Sequence, residues 1–330
     1  MANEIEKLNT IAIASIEKVN GITDANLQAL NGLEFTAAYA GLSWASATSI
    51  SVTTVDMCAG GTTSAGFVFG GTAGGSIIGS SQEWDGSSWS GGGALSATRD
   101  THGGGGTQTS SIACGGYAGG DETNTTEEYT GSSWSSGGTM QKGSYGPVTF
   151  GSSISSHVWH GGKKYGGDAE TFMDDTETYD GTTWSTQGNA SVGMEGRSAT
   201  WGVEGAGVKA GGNSSGVGAI TTAETFNGSS WSSANALNTA RAWVSGFGLN
   251  ARGWVTGGYD AAAGSRVSLA TTETFDGTSF SADTNIPKNL ARTSRGQYVG
   301  SGRTGFQVGG DEKDSSGSNG TSQVTHYQAS

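Results

Sequence analysis

Short stretches of apolar and small residues recur along the chain, and six of them end in a glycine pair: Gly70-Gly71, Gly115-Gly116, Gly161-Gly162, Gly211-Gly212, Gly257-Gly258 and Gly309-Gly310. An aromatic follows each pair, as Trp84, Tyr129, Tyr179, Phe226, Phe275 and Tyr327. In five copies a second aromatic comes five residues later, as Trp89, Trp134, Trp184, Trp231 and Phe280. Copies 45 to 52 residues apart mean one supersecondary unit repeated six times. Unit two shows four short strands: a small-residue strand from Ala97-Thr98-Arg99 into Gly103 to Gly106, then 111–114, 125–129 and 132–135. The turn between the last two strands reads Asp85-Gly86, Thr130-Gly131, Asp180-Gly181, Asn227-Gly228 and Asp276-Gly277 along the series. Asp-Gly and Asn-Gly there predict two-residue type I′ hairpins, which need positive φ at both central positions.

A four-stranded antiparallel unit cannot bury both faces alone, whereas copies packed face to face around an axis can. Glycine pairs suit the crowded inner region, and the aromatics fill the wider space between outer strands. The diglycine after an apolar strand, then a separated aromatic, then a Trp, resembles the kelch repeat. That resemblance covers 36–330 and implies an all-β, six-bladed kelch-like β-propeller. Arg99, Arg197, Arg241 and Arg292, with Lys142 as the candidate in unit three, match the basic residue often found in a first kelch strand. Trp44 stands 45 residues before Trp89, in phase with the series, so strand 42–46 is expected to close the sixth blade against the last unit.

Residues 1–35 carry a different, eleven-residue period. Ile5, Leu8 and Ile11 recur as Ile16, Val19 and Ile22, then as Leu27, Leu30 and Leu33, with Asn20-Gly21 and Asn31-Gly32 closing two copies. The spacing predicts two or three helices of about two turns, stopped at Asn-Gly. The alternative is a β reading with Asn-Gly as hairpin turns. A segment this short cannot build its own core, so Ile5, Leu8, Ile11, Ile16, Val19, Ile22, Leu27 and Leu30 are expected to dock on a partner. The Ile-Glu-Lys-Val-Asn-Gly module resembles N-terminal segments of marine bacteriophage virion proteins, and implies other virion proteins as that partner.

Composition narrows the function. Sixty glycines with two prolines and no G-X-Y period exclude collagen, and the interleaved Trp, Val and Ile argue against disorder. The net charge is −13, and no Lys or Arg lies between Lys18 and Arg99, which argues against nucleic-acid binding. Met1 to Lys7 lacks a basic start and a long apolar stretch, so neither a signal peptide nor a membrane span is expected. Cys58 and Cys114 lack metal-ligand spacing and read as buried thiols.

Candidate chemistry is sparse. His157 and His160 sit three apart on one strand and so face opposite sides of the sheet, which argues against a shared metal. The in-phase arginines read as structural. Acidic residues gather between second and third strands: Asp121-Glu122, Asp168, Asp174-Asp175 and Asp311-Glu312. These loops emerge on one face, without the alternating register of a calcium loop, and form the candidate binding face. No cofactor is expected. The expected function is a non-enzymatic bacteriophage structural or adhesion protein, its propeller displayed as a tail, fibre or capsid appendage toward a host-surface glycan or protein. The alternative is an extracellular kelch-type carbohydrate-active or oxidising enzyme.

Overall fold

The computed structural model describes residues 42–164, 171–195, 198–215, 217–249, 252–260, 267–287, 289, 291, 305–308, 311–314, 317–320 and 324–329, with four two-residue strands before residue 35. Two compact units divide the chain, Met1–Ser43 with Gln328–Ser330 and Trp44–Tyr327.

The larger unit is an all-β propeller. Blade one runs Cys58–Thr62, Ala65–Phe69, Ser81–Trp84 and Trp89–Gly91. Blade two runs Gly103–Thr107, Ser110–Cys114, Thr126–Tyr129 and Trp134–Ser136. Blade three is Val148–Ser153, Ser156–His160, Thr176–Tyr179 and Trp184–Gln187. Blade four is Ala199–Val203, Ala206–Ala210, Ala223–Phe226 and Trp231–Ala234. Blade five is Ser245–Leu249, Arg252–Thr256, Thr272–Phe275 and Phe280–Asp283. Within each blade the strands pair antiparallel in chain order, and the first strands of successive blades pack side by side.

The expected count of six is therefore corrected to five blades. The sixth repeat gives a three-stranded sheet, with Val324–Ala329 between Gly305–Val308 and Leu42–Ala47. A first strand for it would fall within 292–304, outside the described residues. This repeat also differs in that its second-to-third connection folds into a hairpin of four residues a side, Asp311–Asp314 with Gly317–Gly320.

Register explains the spacing of the aromatics. The last residue of each third strand lies directly opposite the first of the fourth, as Trp84 opposite Trp89, Tyr129 opposite Trp134 and Phe226 opposite Trp231. Ring centroids in these pairs are 5.3, 5.1 and 5.0 Å apart, the tilted geometry in which aromatics attract. The turns between these strands depart from type I′. Gly86, Gly181, Gly228 and Gly277 have φ of 95°, 95°, 98° and 97°, but the residues before them are not left-handed. Each connection is four residues long, and in four of the five blades an Asx side chain pins it, as Asp85 Oδ1 accepts the amides of Ser87 and Ser88, both at 2.8 Å, while blade two carries Thr130 in that place.

The diglycines are turn residues rather than mere spacers. Both members are left-handed, with Gly70 at 65° and Gly71 at 94°, Gly115 at 61° and Gly116 at 86°. The second amide of each pair donates to the connection entering the next blade: Gly71 to Arg99 O, Gly116 to Ser144 O, Gly162 to Met194 O and Gly212 to Arg241 O, at 2.8–2.9 Å. Side chains of the same connections cap the first carbonyl of the pair in the blade they enter, from Arg99 to Gly115, Ser144 to Gly161, Ser198 to Gly211 and Arg241 to Gly257. Each connection thus ties two blades.

Packing between blades follows a size exchange. A Cβ built on Gly207 would lie 2.0 Å from the Phe150 ring of the preceding blade, and one on Gly253 would lie 2.2 Å from Trp201. Where the preceding blade carries Gly60 or Gly105 at the ring's position, the next carries Ser111 or His157 in place of the accepting glycine.

In the smaller unit, Lys18–Val19 pairs with Ile22–Thr23 and Ala29–Leu30 with Leu33–Glu34, each across two residues that are Asn-Gly in the sequence. At these eight residues the β alternative holds in place of the helical expectation, whose first copy, 4–14, lies outside the described residues. Eleven-residue units are too short to offset helix nucleation, whereas Asn-Gly favours a hairpin directly.

Replacing Gly253 by Ala should overpack the Trp201 site and cost about 1–3 kcal/mol. Trp201→Leu should relieve the clash, so a double-mutant cycle by denaturant unfolding should show coupling above about 0.5 kcal/mol. Additive losses would contradict the size exchange.

Candidate functional site

The connections that enter each blade and those between its second and third strands emerge at one end of the propeller. Their backbones bridge there, Val55 with Thr72, Asp100 with Tyr117 and Tyr145 with Lys163, while Ala242 pairs with Tyr259. Second-to-third connections span 70–80, 115–125, 161–175, 211–222 and 257–271, so they run from 11 to 15 residues and differ in sequence from blade to blade. The opposite end is more uniform, its third-to-fourth connections all four residues long and Asx turns in four of the five blades.

Of the acidic candidates, Asp121, Glu122, Asp174 and Asp175 lie on this variable end. Asp121 is exposed and accepts the Glu122 amide at 2.9 Å. Asp174 accepts Asn189 Nδ2 at 3.1 Å, and Asp175 pairs with half-exposed Lys142 at 2.5 Å, a surface bridge of small worth. Asp311 and Glu312 sit on a hairpin strand, and Asp168 lies outside the described residues. Among the described residues no three His, Cys, Asp or Glu come together to hold a metal ion. Of the docking candidates, Val19 pairs with Ile22 and Leu30 with Leu33, while Ile5, Leu8, Ile11, Ile16 and Leu27 lie outside the described residues.

Ionisable groups cluster inside the blades instead. The second residue of every third strand is Gln82, Glu127, Glu177, Glu224 or Glu273, and all are buried. Each accepts amides from the connection entering its own blade: Ser51 on Gln82, Ser96 and Ala97 on Glu127, Gln141 and Lys142 on Glu177, Ser191 on Glu224, Asn238 and Thr239 on Glu273. Arg99 meets Glu127 at 2.8 Å and Arg241 meets Glu273 at 2.9 Å, so these two in-phase arginines are structural, while Arg197 and Arg292 lie outside the described residues. This anchor went unnoticed in the sequence, although its signal is plain: Gln or Glu two residues before the third-strand aromatic in five copies.

Blade four solves the same problem from within its sheet. Lys209, where Val68, Ala113, Trp159 and Val255 stand in the other blades, places Nζ 2.8 Å from Glu224 and 2.9 Å from His160 Nε2. The ammonium donates, so Nε2 accepts and Nδ1–H points to the Asp175 carbonyl at 2.9 Å. The Trp231 ring lies 4.9 Å from Nζ and closes the cluster. Burial lowers Lys209 from its ordinary value against the pull of Glu224, and burial beside Lys209 pushes His160 well down. Burial raises Glu224, but Lys209 and Ser191 outweigh it and leave the carboxyl below its usual range. The Lys209 and Glu224 side chains are only 1% and 2% exposed, which seals the cluster from substrate. His157 is likewise buried, and burial lowers it to about 3. Cys58 and Cys114 are buried thiols, Cys58 Sγ donating to the His102 carbonyl at 3.2 Å, and burial pushes Cys114 up.

No helix among the described residues is long and apolar enough to cross a membrane. Compared with known protein families and with curated proteins, the sequence matches none.

Glu177 is the glutamate among these anchors without a buried cation, and burial, opposed by the Gln141 and Lys142 amides, raises it above its ordinary range. A raised folded value means its contribution is present below about pH 4.3 and is lost as pH rises through the folded value. Glu127 is the reverse: burial raises it, but Ser96 and Arg99 prevail and hold it low, so its contribution is present at neutral pH and lost as pH falls through the folded value. Glu177→Gln, copying Gln82, should therefore hold or raise Tm at pH 7, whereas Glu127→Gln should cost roughly 1.5–3 kcal/mol there. Thermal unfolding between pH 3 and 8 checks both signs. Lys209→Met should cost about 3–5 kcal/mol by stranding Glu224, and adding Glu224→Gln should recover part of it, as read by denaturant unfolding.

Proposed function

We propose that the chain is a non-enzymatic structural or adhesion protein of a bacteriophage virion, a kelch-like propeller displayed outward as a tail, fibre or capsid appendage. Residues 1–35 dock on other virion proteins, and the variable end of the propeller meets a glycan or protein of the host surface. The observation that carries this reading is the division of labour between the two ends. One end repeats a four-residue turn in every blade, Asx-pinned in four of the five, while the other varies its loops on a common frame, the arrangement recognition surfaces use. Support also comes from the buried ionisable groups, which are committed to anchoring strands, and from a surface rich in Ser, Thr and Gly with 14% charged residues overall.

Deleting residues 1–34 should leave a propeller with unchanged far-ultraviolet circular dichroism and a Tm within about 2 °C, because strand 42–47 is retained. Particles made with the truncated chain should lack it on immunoblots. Normal incorporation would overturn the docking role.

A further inference from the structure

Blade three carries a buried histidine on each face of its sheet. His157 and His160 lie three apart on Ser156–His160, so their side chains leave opposite sides, and both are fully buried. His157 stands at the position where Gly207 and Gly253 receive the aromatic ring of the preceding blade, and so faces blade two. His160 faces blade four, with Nε2 2.9 Å from Lys209 Nζ and its ring 5.0 Å from the Trp231 ring. The strands of the other four blades hold no histidine.

The groups around the two rings differ, yet neither set welcomes a proton. On the His157 side, register places Tyr179 opposite His157 and Glu177 opposite Trp159, on the same face of the sheet. Tyr179 donates to Glu128 of blade two, and Glu177 accepts the amides of Gln141 and Lys142, so both carboxylates are engaged; the buried Cys114 thiol of blade two packs with Trp159. Neither ring nitrogen of His157 has a hydrogen-bond partner among the described residues, and burial alone lowers it to about 3. On the His160 side, Glu224 is committed to Lys209, Asp174 adds a pull on the same ammonium, and the Asp175 carbonyl accepts Nδ1–H. Glu204 of blade four accepts the Ser156 hydroxyl at 3.2 Å. A proton on His160 Nε2 would set two cations 2.9 Å apart, with Glu224 already paired to one of them.

In a repeat fold each unit is bound mainly to its neighbours, so one seam can open without melting the whole chain. We propose that blade three is an acid-released element, whose seams to blades two and four loosen together when His157 and His160 take up protons. Both histidines are held neutral in the fold and ionise freely once exposed to water. Their contribution is therefore present above about pH 6.5 and is lost as pH falls toward the folded values. Glu177 acts in the opposite sense, since its contribution is lost as pH rises, so it cannot mimic the effect. The release frees the 161–175 connection along with the blade and leaves blade five in place.

Hydrogen exchange of the full-length protein, followed by mass spectrometry at pH 7.5 and pH 5 and corrected for intrinsic rates, tests this. Each histidine is worth up to roughly thirtyfold at pH 5, which lies about 1.5 units below the ordinary histidine value. Opening in peptides from 148–187 should therefore rise by about tenfold or more, while peptides from 245–283 in blade five change by less than about twofold. His157→Leu and His160→Gln, the latter keeping an acceptor for Lys209, should each remove part of the rise, and the double variant nearly all of it. An equal rise in blades three and five, or no rise in blade three, would overturn the proposal from the wild-type protein alone. A folded double variant that keeps the wild-type pH response would overturn it as well.

Discussion

The propeller depends on one recurring tie: the left-handed diglycine that ends each second strand and the connection that passes over it. In one direction the second glycine amide holds the backbone of the connection entering the next blade, as Gly71 holds Arg99 and Gly116 holds Ser144. In the other, that same residue reaches with its side chain to the first glycine carbonyl of the blade it enters. A side chain on the second glycine would fail twice, through φ and through collision, since a Cβ on Gly116 would lie 2.5 Å from the His102 Cβ. The third-strand glutamates complete the tie by gripping the connection from the other side. Interior charge in these blades is therefore mostly a consequence of having to anchor irregular backbone.

The legible parts of the fold were those written periodically. Diglycines and paired aromatics reveal strand order and even the register of the outer hairpins, because the five-residue spacing is the four-residue turn plus one step across the ladder. The blade count was less legible, since sequence phase reports copies of a unit and says little about how many strands each copy completes. In the N-terminal segment two local signals competed, and apolar spacing at helical intervals lost to Asn-Gly over so short a reach. The turn type was misread for a related reason: the sequence names Asp-Gly, but only the structure shows the aspartate side chain doing what a second left-handed residue would have done.

The candidate site was the least legible of all. Acidic loop residues stand out in sequence because charge is scarce here, yet Asp121, Asp174 and Asp175 are spent locally, on a neighbouring amide, an asparagine or a surface lysine. Lys209 carries no motif, since a lysine among apolar counterparts reads as a surface residue until the register places it opposite Glu224 in the interior.

The exchange of bulk between neighbouring blades bears on how such a chain can change over time. Phe150 needs Gly207 and Trp201 needs Gly253, while Ser111 and His157 stand where a glycine would otherwise face the small Gly60 and Gly105 positions of the preceding blade. Each copy is thus matched to its own predecessor rather than to a common standard. Once duplicated units have drifted in this paired way they lose their interchangeability, so recombination that reorders them breaks two seams at once. What is inherited intact is the seam between two blades, and diversity is left to accumulate in the loops that no seam constrains.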